Sequence, residues 1–532
     1  MFLIMSAAYI GQELQSVFGR MPPSFLPLGN RRLFNHQIKL AKASSDLICL
    51  ALPQSYKVPE MDRAILENNN VKLLFIQEKL GLGEAVVAAL SQSLHDFNEP
   101  FELLFGDTLF TELPKGQNFL SYSKVSENYH WAVIAKNDHG WLQQSEGETE
   151  FTDDEVVNGF FRFSKPRDLL KALSQSNWNF LDALNEYREL TDFVSQRSDF
   201  WLDFGHLNTY FSSKAHFTTQ RSFNNLKITS NWVEKSSDEK DLKIAAESNW
   251  FRELPHSLRF YTPQYLGEET RDDVTCYKLE YLHLTALNEL YVFADLPIES
   301  WKRILNSCIS FLVDCSKQHK PAEDPGCSLK ELFSDKTEER LQEFCEQRGI
   351  DVNDSWCIQG EQFSLKSLLE ISNMHVPKKE DYVSVMHGDF CFSNILYDSR
   401  SNRIKTIDPR GVTPNGKISI YGNIYYDIAK LSHSVIGLYD FIIAGYFKVS
   451  LNGGEVKLEV SVSEKHILIQ NYFTELVREK FSLTPKQLIA MQIQLFLSML
   501  PLHCDDFNRQ NALFANAFRL GRELIILNRE MR

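Results

Sequence analysis

The sequence has no apolar run of the ~18 residues that a membrane helix needs, no internal repeat and no low-complexity linker. No membrane insertion is therefore expected, and the domain boundary has to be inferred from motifs. Basic residues are in the minority: 56 Lys and Arg stand against 70 Asp and Glu, for a formal net charge of −14. Nucleic-acid binding needs a basic surface, so no nucleic-acid partner is expected. The nine cysteines are odd in number and include no CxxC or Cys/His cluster with zinc spacing. Reduced thiols in a cytoplasmic compartment are the expectation. The opening MFLIMSAAYI lacks a basic flank and a small-residue cleavage site. It reads as a buried first strand rather than a signal peptide.

What is there is globular: 532 residues, 43% hydrophobic and 24% charged. At about 100–200 residues per domain this gives two to four domains. In residues 1–212 short apolar runs alternate with helical patterns. Leu47–Pro53, Val71–Ile76, Leu103–Gly106 and Trp131–Ala135 read as strands, and Asn35–Lys42 and Gly83–Phe97 as helices. That alternation predicts an α/β domain with a parallel, doubly covered sheet and ligands at the carboxyl ends of its strands. Residues 213–532 begin with polar, β-rich pieces and continue mostly helical, which predicts a second, α+β domain. Ser236–Lys243 and Lys378–Asp381 read as solvated charged turns.

The sharpest pattern is Val385–Asp398, VMHGDFCFSNILYD, followed by Lys405–Gly411, KTIDPRG. A hairpin with Asn394 on one arm and Asp408 on the other brings an amide oxygen and a carboxylate together. Phosphoryl transfer uses such a set: one carboxylate for the attacking hydroxyl, and an amide oxygen and a second carboxylate to hold magnesium against the phosphates. The stretch resembles the HGDxxxxN catalytic loop of the aminoglycoside phosphotransferase and choline kinase family. The resemblance implies a protein-kinase-like fold, Asp389 as catalytic base, Asn394 and Asp408 as Mg2+ ligands, and ATP as phosphoryl donor. It also implies that Lys235, on the strand NWVEKS, binds the phosphates and pairs with Glu247 on the following helix. Glu280 and Tyr281 fall where the adenine-binding hinge belongs. Asp427, in Tyr426-Asp427-Ile428-Ala429, becomes a brace of the catalytic loop. Two features depart from the family: Arg221–Trp232 contains no glycine, and Asp408 is followed by Pro-Arg-Gly, with Arg410 in reach of either a phosphate or an acidic neighbour.

Residues 1–212 resemble the sugar-phosphate nucleotidyltransferases. Ala7–Gly29 keeps Gly11 and the Pro-Leu-Gly turn of the family's AAGxGxR…PKxLxPxG opening, but Glu13 and Ser24 stand where its Arg and Lys belong. Gly81-Leu82-Gly83-Glu84-Ala85 resembles the base-holding turn, with Gly83 in it. Phe105-Gly106-Asp107 and Trp201–Tyr210, WLDFGHLNTY, resemble the two metal-binding segments. The resemblance implies a Rossmann-like fold, Asp107 and Asp203 as a second Mg2+ site, and CTP or UTP as substrate. Arg20 or Arg31 is left to replace the missing cations. The two halves together imply a bifunctional enzyme. It phosphorylates a sugar, choline or another small alcohol and converts the product to an NDP-activated donor for capsule synthesis. The alternative is a kinase carrying a degenerate transferase-like scaffold.

Overall fold

The computed structural model describes residues 1–125, 132–134, 141–144, 154–199, 201–219, 225–237, 241–271, 274–321, 327–378 and 383–530. The chain divides into two compact units, Met1–Phe217 and Thr218–Arg532. A break after residue 212 would cut the Leu207–Thr219 helix, which lies in the first unit as far as Phe217. Its Tyr210 hydroxyl donates to the Pro27 carbonyl at 2.7 Å, and Phe217 packs edge-on against His36.

In the first unit, Phe2–Met5 is buried at every residue, as the apolar opening requires. It pairs in parallel with Ile48–Pro53 on one side and Phe101–Phe105 on the other, and Val71–Ile76 extends the parallel set. The sheet is mixed rather than wholly parallel. Asp154–Phe163 runs antiparallel to both Phe101–Phe105 and Phe119–Val125. Ala132–Ile134 pairs antiparallel with Leu142–Gln144; Trp131 and Ala135, the ends of that expected strand, lie outside the described residues. Parallel pairing needs a crossover of a dozen or more residues, usually helical. Among the described residues the chain has no helix between Phe110 and Pro166, so it returns antiparallel there. The strand order reverses at Phe2–Met5, whose chain continues to one neighbour in sequence while Phe101–Phe105 lies on the other side. Such a switch point leaves a crevice at the carboxyl ends of the two strands.

The second unit begins with a four-stranded antiparallel sheet, in the order Asn225–Ile228, Trp232–Ser236, Val274–Glu280, Tyr265–Arg271. The Asp241–Glu253 helix packs on it, with the buried Phe251 against Tyr277 of the Val274–Glu280 strand. The turn Thr229–Asn231 closes the first hairpin with its own polar groups: Thr229 Oγ1 accepts from the Trp232 amide at 3.1 Å. Residues 221–224 of the glycine-free stretch, 238–240 of the first charged turn and 379–381 of the second lie outside the described residues. The remainder is mostly helical around a large apolar core, in which Pro485–Met499 and Phe507–Glu530 are the central helices. This is an α+β arrangement. All nine cysteines are free thiols. Among the described residues no helix is long and apolar enough to cross a membrane.

Candidate active sites

In the second unit the hairpin Ile395–Asp398 and Arg403–Thr406 is in register Ile395 with Thr406. Asn394 therefore precedes one arm and Asp408 follows the other, and the Ile407 amide donates to the Asn394 carbonyl at 3.0 Å. Asp408 has φ +58°, a left-handed conformation that costs a non-glycine residue about 1–2 kcal/mol. The turn aims its carboxylate at Lys235, whose Nζ lies 2.7 Å from Asp408 Oδ1 and 2.9 Å from Glu247 Oε2. Burial works against the Lys235 charge, but Asp408 and then Glu247 outweigh it and hold the ammonium above its ordinary pKa. The Tyr277 hydroxyl, opposite Lys235 in the strand register, donates to the same Glu247 oxygen at 2.6 Å. Gly411 explains the glycine in KTIDPRG: a Cβ there would meet the Ala246 carbonyl oxygen at 2.1 Å, so only glycine lets this loop lie against the Asp241–Glu253 helix.

The Ile424–Val435 helix serves the His387-Gly388-Asp389 turn twice from one face. Asp427 accepts from the His387 and Gly388 amides at 2.6 and 2.8 Å. One helical turn later, Lys430 Nζ lies 2.8 Å from Asp389 Oδ1. Asn394 Nδ2 donates to Asp389 Oδ2 at 2.9 Å. The Asp389 side chain keeps 38% exposure, so an incoming hydroxyl has access to it. Burial alone would raise its pKa; Lys430 outweighs burial, with Arg410 and His387 adding to it, and the carboxyl sits well below the usual range. His387 is buried, and burial draws its imidazole down to about 4, which leaves it neutral and positional.

Lys430 was not singled out from the sequence, although its spacing of three from Asp427 puts both on one helix face. Replacing Lys430 by Met should lower turnover and raise the Asp389 pKa. Because the lysine depresses that pKa, its removal moves the acid limb of the pH–rate profile to higher pH. An acid limb that stays in place, measured by initial rates, would remove Lys430 from this pairing.

The hinge expectation is corrected in part. The Glu280 amide donates to the Gln264 carbonyl and the Tyr281 amide to the Asn231 carbonyl, both at 2.9 Å. These N–H groups are engaged within the fold, and the Glu280 carboxylate accepts from the Gln264 amide. An adenine would have to use other backbone groups of this segment.

In the first unit a cavity of about 920 Å³ lies at the switch point, lined among others by Gly11, Gly81, Asp107, Trp178, Asp203 and His206. A second cavity of about 480 Å³ shares Ala8, Tyr9, Leu82 and Asp107 with it. Antiparallel pairing of Trp201–Asp203 with Thr108–Phe110 sets Asp203 opposite Thr108, next to Asp107. A Cβ on Gly205 would stand 2.8 Å from Asp107 Oδ2 and 3.4 Å from Asp203 Oδ1, so two carboxylates share the space that the glycine leaves open. Burial raises the Asp107 pKa.

Gly83 is corrected as a base-binding residue. Gly81 lines the cavity, whereas a Cβ on Gly83 would meet the Trp178 carbonyl oxygen at 2.3 Å, so this glycine serves helix packing. Ser24 is buried, with its amide donating to Ser6 Oγ and its hydroxyl to the Gly106 carbonyl. It closes the loop from within. Arg20 lies 3.9 Å over the Tyr9 ring and 3.5 Å from Glu78, Arg31 is exposed, and Arg32 is buried against Asp62. Among the described residues no Lys or Arg lines the larger cavity.

The donor sets fit magnesium in both units. Asp408 and Asn394 offer one carboxylate and one amide oxygen, and Lys235 already places a cation on Asp408. Magnesium is commonly held by one or two carboxylates with phosphates and water completing its octahedron. Among the described residues no group of three or more His, Cys, Asp or Glu forms a metal cluster, so in either site phosphate oxygens would have to complete the coordination.

No protein-family model and no curated protein matches the chain. Similar solved structures include nucleotidyltransferases and aminoglycoside phosphotransferases. One is a nucleoside-diphosphate-sugar pyrophosphorylase from Vibrio cholerae: 14% identity over 40% of this chain and 99% of that chain, TM-score 0.32. Another is the inositol-1-phosphate CTP transferase from T. maritima, 17% identical over 41% of this chain and 95% of that one, TM-score 0.31. The third is an aminoglycoside phosphotransferase from Streptomyces rimosus, 14% identical over 50% of this chain and 86% of that one, TM-score 0.32.

Proposed function

We propose that the second unit phosphorylates the hydroxyl of a small molecule with ATP, and that the first transfers a nucleotidyl group from CTP or UTP to the phosphorylated product. The product is an NDP-activated donor, and capsule assembly is its proposed destination. The observation that carries the reading is the Lys235–Glu247–Asp408 cluster beside the Asp389–Asn394–Lys430 cluster, brought together from five separate stretches of sequence.

In this reading the acceptor oxygen bonds to the γ-phosphorus as the bond to the β,γ-bridging oxygen breaks. The hydroxyl proton passes to Asp389 and ADP leaves. Asp389 is a weak base because Lys430 stabilises its charge. A weak base suits a loose transition state, in which orienting the nucleophile matters more than deprotonating it early. Lys235 holds the α/β-phosphates, and Glu247 holds Lys235. Asp408 and Asn394 would hold Mg2+, which would supply neutralisation of the phosphate charge. The test is ADP release over an acceptor panel, followed by pyrophosphate release with each NTP and the phosphorylated acceptor. No ADP release above background with any acceptor, together with no ATP binding, would sink the kinase half.

Asp408→Ala and Asn394→Ala should each raise the Mg2+ concentration for half-maximal activity and depress turnover, since each removes one oxygen ligand. Rates titrated against Mg2+ check this; unchanged curves in both variants would move the metal elsewhere.

A second reading of the first unit has its own support. The cavity has no Lys or Arg in its lining and Ser24 is turned inward, which suits a binding module that has lost catalysis. Absence of pyrophosphate release with all four NTPs would favour it.

A further inference from the structure

We propose that the acceptor of the kinase unit is an anion: a hydroxy compound carrying a phosphate or carboxylate that docks on Lys430, Arg410, Lys336 and Arg340. This rests on the kinase reading and narrows its substrate class.

The cations form a continuous group beginning at the base. Lys430 contacts Asp389. Arg410 packs over the same turn, since a Cβ on Gly388 would stand 2.7 Å from Arg410 Cβ, and its amide donates to the His387 carbonyl at 2.8 Å. Its guanidinium turns to Tyr426, with Nη2 3.2 Å from the phenol oxygen. Tyr426 in turn packs on Phe333, ring centroids 5.2 Å apart. Phe333 is in the short turn Glu331–Asp335 that leads into the Lys336–Arg348 helix. Lys336 opens that helix, and Arg340, one turn on, donates to the Ser498 carbonyl at 2.9 Å. Among the described residues no carboxylate lies within ion-pair distance of Arg410, Lys336 or Arg340. Asp389 pairs with Lys430 and, with Asp427, acts on Arg410, and Glu343 and Glu339 act on Arg340, whereas the neighbours that set the Lys336 charge are the Tyr426 phenol and the other three cations.

Two consequences of this crowding favour binding of an anion. Burial, with Arg410, Arg340 and Lys430, draws the Lys336 ammonium down to about 8. Burial opposes ionisation of Tyr426, but Arg410, Lys430 and Lys336 outweigh it and bring the phenol down to about 7. Like charges gathered in a half-buried site are unfavourable without an anion between them. Such a site repels choline and amino sugars. It also differs from the Lys235–Glu247–Asp408 cluster, in which the lysine is already matched by carboxylates.

The test uses the full chain saturated with a non-hydrolysable ATP analogue and Mg2+, so that the nucleotide's own phosphate positions are filled. Inorganic phosphate is titrated in by calorimetry, with acetate in a parallel arm to separate phosphate from carboxylate recognition. Saturable anion binding is expected, weakened about tenfold by Lys336→Gln and further by Lys336→Glu, since a charge-assisted hydrogen bond is worth at least one factor of ten. The ATP analogue's affinity for each variant reports that the site is folded. Anion binding that neither variant alters, or none up to the solubility limit, overturns the inference. So does a variant that weakens the ATP analogue instead, because the cations would then belong to the nucleotide. Failure of wild type to bind the analogue at all sinks the kinase reading itself, which separates the two failures.

Discussion

Asp389→Asn should abolish phosphoryl transfer and leave the unit folded. The amide has the shape of the carboxylate but cannot take the hydroxyl proton. It also presents Lys430 with a neutral group in place of the partner now 2.8 Å away. Loss of a positioned acid–base group costs roughly 10²–10⁴ in rate. The upper end is expected here, because the charge that Lys430 and Asn394 are arranged to hold disappears with it. The backbone of the turn is held separately, by the two amides on Asp427 and by the Trp250 indole donating to the Met386 carbonyl at 2.8 Å. ATP-analogue binding and the near-UV circular dichroism should therefore be retained. ADP release above a few per cent of wild type, with an authentic acceptor, would remove Asp389 from the chemistry.

Asp107→Ala should abolish pyrophosphate release while ADP release continues. A triphosphate brings about four negative charges near neutrality. Among the described residues the larger cavity offers no Lys or Arg against them and the smaller one only Lys79, so in this reading most of that charge falls to a divalent cation on Asp107 and Asp203. Charge stabilisation of this kind is worth several kcal/mol, about a hundredfold in rate or more. Stability should move the other way. Burial raises the Asp107 pKa, so its charged form is disfavoured in the folded state and destabilises the fold above that pKa. Deleting the carboxyl removes that cost, and the melting temperature at neutral pH should hold or rise. A variant that keeps full pyrophosphate release would move the metal away from this pair. A wild type that releases none makes the unit a binding module.

The sequence by itself determined much of this protein, where the deciding forces are local. Apolar strands at Phe2–Met5, Ile48–Pro53 and Val71–Ile76 declare themselves because every residue or alternate residues must leave water. The HGD turn, Asn394 and Asp408 are legible because chain connectivity through one short hairpin holds them together. Lys235 and Glu247 were readable as strand and helix residues; their 2.9 Å ion pair depends on the helix packing against the sheet. Tertiary structure alone decided the rest. It turned Ser24 inward, gave Gly83 to the Trp178 carbonyl, and engaged the Glu280 and Tyr281 amides with Gln264 and Asn231. It also carried Lys336 toward Arg410, 74 positions away in the chain, through the Phe333–Tyr426 contact. Local patterns report which face of an element is buried. Which charges then share one low-dielectric space depends on how distant elements pack, and that is set by the whole core rather than by any one segment.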